Sequence, residues 1–180
     1  MKKLRLLITI GCNKHCEGCC NKDYELDKLE KFDEKCNINE YDVIMLTGGE
    51  PMLNVELVYK HIYYFRNRDY TNKIYMYTAK TDKYFELLGV LSALDGITVT
   101  LHDNEDVENF TKFSNILYTM YNSEYLHSKS LRLNIFKDII VPYLPVHSKF
   151  WQIKDNIEWI KNCPLPRDEV FMVSKIKKYL

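Results

Sequence analysis

No stretch of this sequence approaches the roughly 20 apolar residues a helix needs to cross a bilayer, which excludes a helical membrane span. No secretory leader is expected either. The opening run, Met1 to Cys12, combines basic and apolar residues before a Gly-Cys junction, but Arg5 breaks it and leaves it too short for the apolar core of a signal. It reads as a first strand. An excess of one charge is also lacking. Lys plus Arg and Asp plus Glu both number 25, so there is no global basic field to draw nucleic acid and no acidic tail. Internal repeats, low-complexity tracts and clear linkers are absent, and 180 residues with 46% hydrophobic content suffice for one core. A single domain over residues 1–180 is the expectation.

What is present begins with cysteine. Six cysteines in a chain without a leader fit a reducing cytoplasm and a metal site better than disulfides. Cys12, Cys16 and Cys19 stand in Gly11-Cys12-Asn13-Lys14-His15-Cys16-Glu17-Gly18-Cys19. This CxxxCxxC spacing offers three thiolates from one short loop, a number that suits a four-iron cubane and leaves one iron open. An open metal position binds substrate or cofactor, whereas a structural site is filled by protein ligands. A buried helix stripe would also bring the three together, but Gly11, Asn13 and Gly18 disfavour a helix, and Lys14, His15 and Glu17 disfavour a core. Zinc stays open as an alternative, with His15, Cys20 or Cys36 completing a tetrahedral set.

A second motif follows the apolar strand Val43-Ile44-Met45-Leu46: Thr47-Gly48-Gly49-Glu50-Pro51. Alone, it reads as a strand-to-helix turn where backbone passes closely. Together the two motifs resemble the radical S-adenosylmethionine (radical SAM) enzymes. The resemblance implies that Cys12, Cys16 and Cys19 hold a 4Fe-4S cluster, that its unique iron chelates the methionine part of SAM, and that Gly48, Gly49 and Glu50 line the same site. Cys20 stands where the family often has an aromatic residue against the SAM adenine. Only Cys163 lies beyond Cys36, which makes an auxiliary cluster in a cysteine-rich extension improbable; Cys36 and Cys163 read as small core residues.

Short apolar runs alternate with helical periodicities along the rest of the chain, the pattern of a parallel sheet wrapped by helices. Strands are expected at 3–10, 42–47, 73–78, 97–102, 131–136 and 169–173. Helical stripes run through Val55, Val58, Ile62 and Phe65, through Phe85, Leu88 and Leu91, through Val107, Phe110, Leu117 and Met120, and through Phe150, Ile153, Ile157 and Ile160. Pro142 and Pro145 mark a loop. Six strand–helix units are what the partial (β/α)6 barrel of the radical SAM type requires, an α/β fold of parallel strands with outer helices. Thr98, Thr100 and His102 share one strand face, as do Arg132 and Asn134. If the apolar faces pack on the helices, these residues line an interior suited to a polar small molecule. Functional groups in such folds gather at the C-terminal strand ends, which selects Thr78, His102 and Asn134 for cofactor contact, with Lys80, Asp103 and Ser174 as further candidates.

The activity implied by the resemblance is reductive cleavage of SAM to methionine and a 5'-deoxyadenosyl radical that abstracts hydrogen from a substrate. Flavodoxin or ferredoxin is the expected electron donor. The segment Gly11 to Tyr24 most resembles activating enzymes of anaerobic ribonucleotide reductase, which install a glycyl radical on a partner protein. A small-molecule enzyme similar to 7-carboxy-7-deazaguanine synthase is an equal alternative, and a non-catalytic zinc-binding module is the third.

Overall fold

The computed structural model describes residues 1–141, 148–160 and 162–176; Pro142, Pro145 and the side chain of Cys20 lie outside what it describes. In chain order, β1 (Lys3–Thr9), a short α1 (Cys20–Asp23), β2 (Glu30–Phe32) and β3 (Val43–Gly48) come first. Then follow α2 (Val55–Arg66), β4 (Lys73–Thr78), α3 (Tyr84–Ala93), β5 (Gly96–Leu101), α4 (Asn104–Met120) and α5 (Ser123–Ser128). β6 (Ser130–Phe136), β7 (Trp151–Ile157) and β8 (Glu169–Ser174) complete the series. The strands form one all-parallel sheet in the order β2-β8-β1-β3-β4-β5-β6-β7.

Side-chain alternation divides the sheet into two faces. Leu4 and Leu6 of β1, Ile44 and Leu46 of β3, Ile74 and Met76 of β4, and Ile97, Val99 and Leu101 of β5 are buried. They join Val58, Ile62 and Phe65 of α2, Leu87, Leu88 and Leu91 of α3, and Phe110, Phe113 and Leu117 of α4 in one core. Each fully buried Leu, Ile or Phe contributes on the order of 1.5–3 kcal/mol relative to exposure, so this interlocked face dominates the apolar stabilisation. The register then sets the residues of the opposite face side by side: Thr98 beside Arg132 and Thr100 beside Asn134. Helix starts are defined locally. The Asn54 side chain accepts the Leu57 N–H at the start of α2, and Asp103 accepts the Asp106 N–H at the start of α4.

The architecture is therefore α/β and all-parallel, but it carries eight strands among the described residues rather than six. Helices of eight or more residues cover only the β3–β4, β4–β5 and β5–β6 connections among the described residues. The helix expected through Phe150, Ile153, Ile157 and Ile160 is instead β7, paired in parallel with β6. Phe85 and Met120 fall in the first turn of α3 and at the last residue of α4, where the stripe leaves the core, and both are exposed. No helix among the described residues is long and apolar enough to cross a membrane.

Candidate iron–sulfur site

The C-terminal ends of β1 and β3 bring the two motifs together. The Gly49 N–H donates to the Thr9 carbonyl and the Glu50 N–H to the Gly11 carbonyl, each at 2.8 Å. A Cβ on Gly48 would lie 2.3 Å from the Thr9 carbonyl oxygen, and one on Gly49 only 2.1 Å from that of Gly11. Neither glycine has a positive φ, so close approach of backbone, not a left-handed turn, demands them. The surface they approach is the root of the cysteine loop.

Glu50 is 2% exposed. Its carboxylate accepts from Met52 N–H at 2.9 Å, the Thr78 hydroxyl at 2.6 Å, Ala79 N–H at 2.8 Å and Lys80 N–H at 3.3 Å. Burial pushes its pKa up, and these four donors pull the other way. The side chain thus ties the turn after β3 to the end of β4, with its acceptor capacity largely taken up.

A cavity of about 330 Å³ opens beside this turn. It is lined by Cys12, Cys16, Cys19, Gly48, Gly49, Glu50, Thr78, His102 and Asn134, all of the residues singled out from sequence for metal and cofactor. Lys80 instead pairs with Asp82, and the Ser174 hydroxyl meets His61 Nε2 at 2.7 Å away from the cavity lining. Arg5, Tyr77, Phe136, Trp159 and Phe171 also line the cavity and were not anticipated. Arg5 holds Glu169 through Nη2 at 2.6 Å. The break that Arg5 makes in the apolar run of β1 was the available signal for an inward-facing polar group.

Cys12, Cys16, Cys19 and Cys36 are free thiols. Burial raises the Cys12 pKa, the Lys14 N–H opposes it at 3.4 Å, and Glu50, Cys16 and Cys19 add to the rise, which places the three loop thiols within electrostatic reach of one another. Cys36 sits half-buried against the Lys31 carbonyl and Asp33. Cys163 lines the cavity in a disulfide, and the free core cysteine expected from sequence is not found there. Among the described residues, no three His, Cys, Asp or Glu side chains, those of Cys12, Cys16 and Cys19 included, stand close enough together to hold a metal ion.

On the other wall, burial lowers the His102 pKa, but Asp106 and Cys16 beside it outweigh burial and raise it to about 9. Its Nδ1 lies 3.4 Å from Asp106, too long for a well-formed hydrogen bond, so charge rather than geometry holds this contact. Trp159 covers the loop: it packs so closely on Gly18 that a Cβ there would come within 2.5 Å of the indole, and it stacks on Phe136 with ring centroids 3.8 Å apart.

A parallel α/β sheet that gathers three free thiols from one loop around a glycine-lined cavity defines a candidate iron–sulfur protein. The family described as 4Fe-4S single cluster domain matches residues 4–115, more than half of the chain, and the chain belongs to that family, which is tied to radical SAM enzymes. A search of curated proteins returns no match. The matched region ends within α4, so Asn134, Phe136, Trp159 and Phe171 complete the cavity from outside it.

Proposed function

We propose that this protein is a radical SAM enzyme, with Cys12, Cys16 and Cys19 holding the cluster and SAM bound across the Gly48–Gly49 turn. The carrying observation is the seating of that turn on Thr9 and Gly11, which makes the glycines and the cysteine loop adjacent walls of one cavity. The helix-backed parallel sheet with its cavity on the other face is what a radical SAM partial barrel requires, and we read it as one. What the bound pair supplies is one-electron cleavage of SAM and hydrogen abstraction by the resulting 5'-deoxyadenosyl radical.

The chain's own residues do the rest. Gly48 and Gly49 give backbone access without side-chain obstruction. Glu50 acts through position, fixing the turn by way of Thr78 and Ala79 rather than reaching the cofactor itself. Thr100 and Asn134 offer polar groups on the opposite wall. Trp159 and Phe136 narrow the entrance and exclude water from it. A one-electron donor such as flavodoxin or ferredoxin completes the system.

A glycyl-radical protein is the second substrate reading, beside a small molecule. Ile10 and Ile160, 74% and 64% exposed, adjoin the cysteine loop and Trp159 and offer apolar surface to a docked chain.

Anaerobic reconstitution tests the class. Iron and sulfide in a cubane ratio, with an EPR signal of the reduced cluster that changes on adding SAM, is the expected result. Bound zinc, no sulfide and no response to SAM would identify a zinc-binding module instead.

A further inference from the structure

Lys14 sits midway between Cys12 and Cys16, and its side chain turns away from solvent toward α4. Its Nζ lies 2.6 Å from Asp103 Oδ2 and 2.8 Å from Asp106 Oδ1. The other oxygen of each carboxylate is committed to the start of α4. Asp103 Oδ1 accepts the Asp106 N–H at 2.9 Å, and Asp106 Oδ2 accepts the His102 N–H at 2.8 Å. Two carboxylates thus divide their four oxygens between one helix end and one lysine of the cysteine loop. Asp106 is 5% exposed and Lys14 17%, so the pair is shielded from the screening that makes surface ion pairs weak. The Asp103 and Asp106 side chains are the acceptors that neutralise Lys14.

The span that carries Lys14 has little else to fix it. Residues 10–16 lie outside helix and strand, and the hydrogen bonds within the stretch are Gly11 N–H to the Thr9 hydroxyl and Lys14 N–H to the Cys12 sulfur. Outside it, Gly11 is anchored by Glu50, and the Cys16 carbonyl accepts from Lys22 Nζ. Between those anchors, among the described residues, the ion pair to α4 tethers the middle of the loop, and His102 stands beside Cys16 at its end.

We propose that Lys14 is a positioning residue for the cluster, clasping the Cys12–Cys16 span to Asp103 and Asp106 so that both sulfurs stand where a cluster can be held. The inference rests on the 4Fe-4S cluster that the family assigns and not on SAM, so it stands or falls separately from the proposed activity. Supporting partners that orient metal ligands commonly govern retention 10–100-fold, which sets the scale of the effect.

The test compares reconstituted wild type, Lys14→Met, Lys14→Arg and the Lys14→Met/Asp106→Asn double variant under challenge with an iron chelator, without SAM. Lys14→Met leaves the buried Asp106 with His102 alone to offset its charge and lowers fold stability as well as cluster retention, so alone it separates nothing. The double variant removes that poorly offset buried charge. Expected are apo-protein unfolding near wild type, cluster half-life shortened roughly tenfold, an altered EPR signal of the reduced cluster, and partial recovery of half-life in Lys14→Arg. A double variant that keeps the wild-type half-life and EPR signal would overturn the proposal and leave Lys14 as a neutralising partner for Asp106.

Discussion

The Thr78 hydroxyl donates a 2.6 Å hydrogen bond to the Glu50 carboxylate, joining the end of β4 to the glycine turn after β3. A buried carboxyl group with four donors on it is a structural post, and its loss is felt first in the fold. Glu50→Gln, whichever way its amide turns, places an N–H₂ against at least one backbone N–H, which cannot accept, and should destabilise the apo-protein by about 2–4 kcal/mol in denaturant unfolding. Thr78→Val removes one donor and should cost about 1–2 kcal/mol. If Glu50 bound SAM directly, Glu50→Gln would weaken SAM binding with unfolding unchanged.

Gly49→Ala brings a methyl against the Gly11 carbonyl, where neither side is a flexible side chain. Reconstituted iron and sulfide per chain should fall well below wild type. Gly89→Ala is the control: it meets only the Tyr59 hydroxyl, within α3, where alanine is favoured by up to about 1 kcal/mol. Cluster loading should be unaffected there.

Acid should weaken the fold through His61. Burial holds its pKa at about 4, below the ordinary 6.5, while Nδ1 and Nε2 meet the Leu57 carbonyl and the Ser174 hydroxyl. The unfolded chain takes up the proton first as pH falls, so the stabilisation is complete above pH 6.5 and is lost toward pH 4. The difference amounts to about 3 kcal/mol. Denaturant unfolding of the apo-protein across this window should show the loss, and His61→Leu should flatten it by that amount.

Trp159 reports on the site it covers. In a Trp151→Phe background, tryptophan fluorescence should be quenched when the cluster is loaded, since the remaining indole packs on Gly18 between two cluster ligands. Trp159→Ala should make the cluster bleach several-fold faster in air, read as loss of visible absorbance. Bleaching at the wild-type rate would show that the indole shields nothing.

Much of this arrangement is legible in the sequence. The strands from Lys3, Val43, Lys73, Gly96, Ser130 and Glu169 announce themselves as apolar runs, because a sheet covered by helices needs them. The period-2 alternation of β5 and β6 put Thr100 and Asn134 on the cavity side. β7 was misread because Phe150, Ile153, Ile157 and Ile160 satisfy helical spacing, and what decides the matter is the pairing edge of β6, which is not local information. β2, with three residues, is too short to signal itself. The Lys14–Asp106 pair spans the chain from the loop after β1 to the helix between β5 and β6, and no spacing rule reaches that far.

β1, which carries the cysteine loop at its end, is flanked by β3 on one side and β8 on the other. Its second neighbour is the last strand among the described residues, and Arg5 meets Glu169 across 164 positions of chain. Until that strand slots in, β1 is an open edge and the wall bearing Trp159 and Phe171 has not been built. A chain whose β8 has not yet paired therefore exposes its three thiols before it can shelter metal, and cluster loading belongs to the finished sheet.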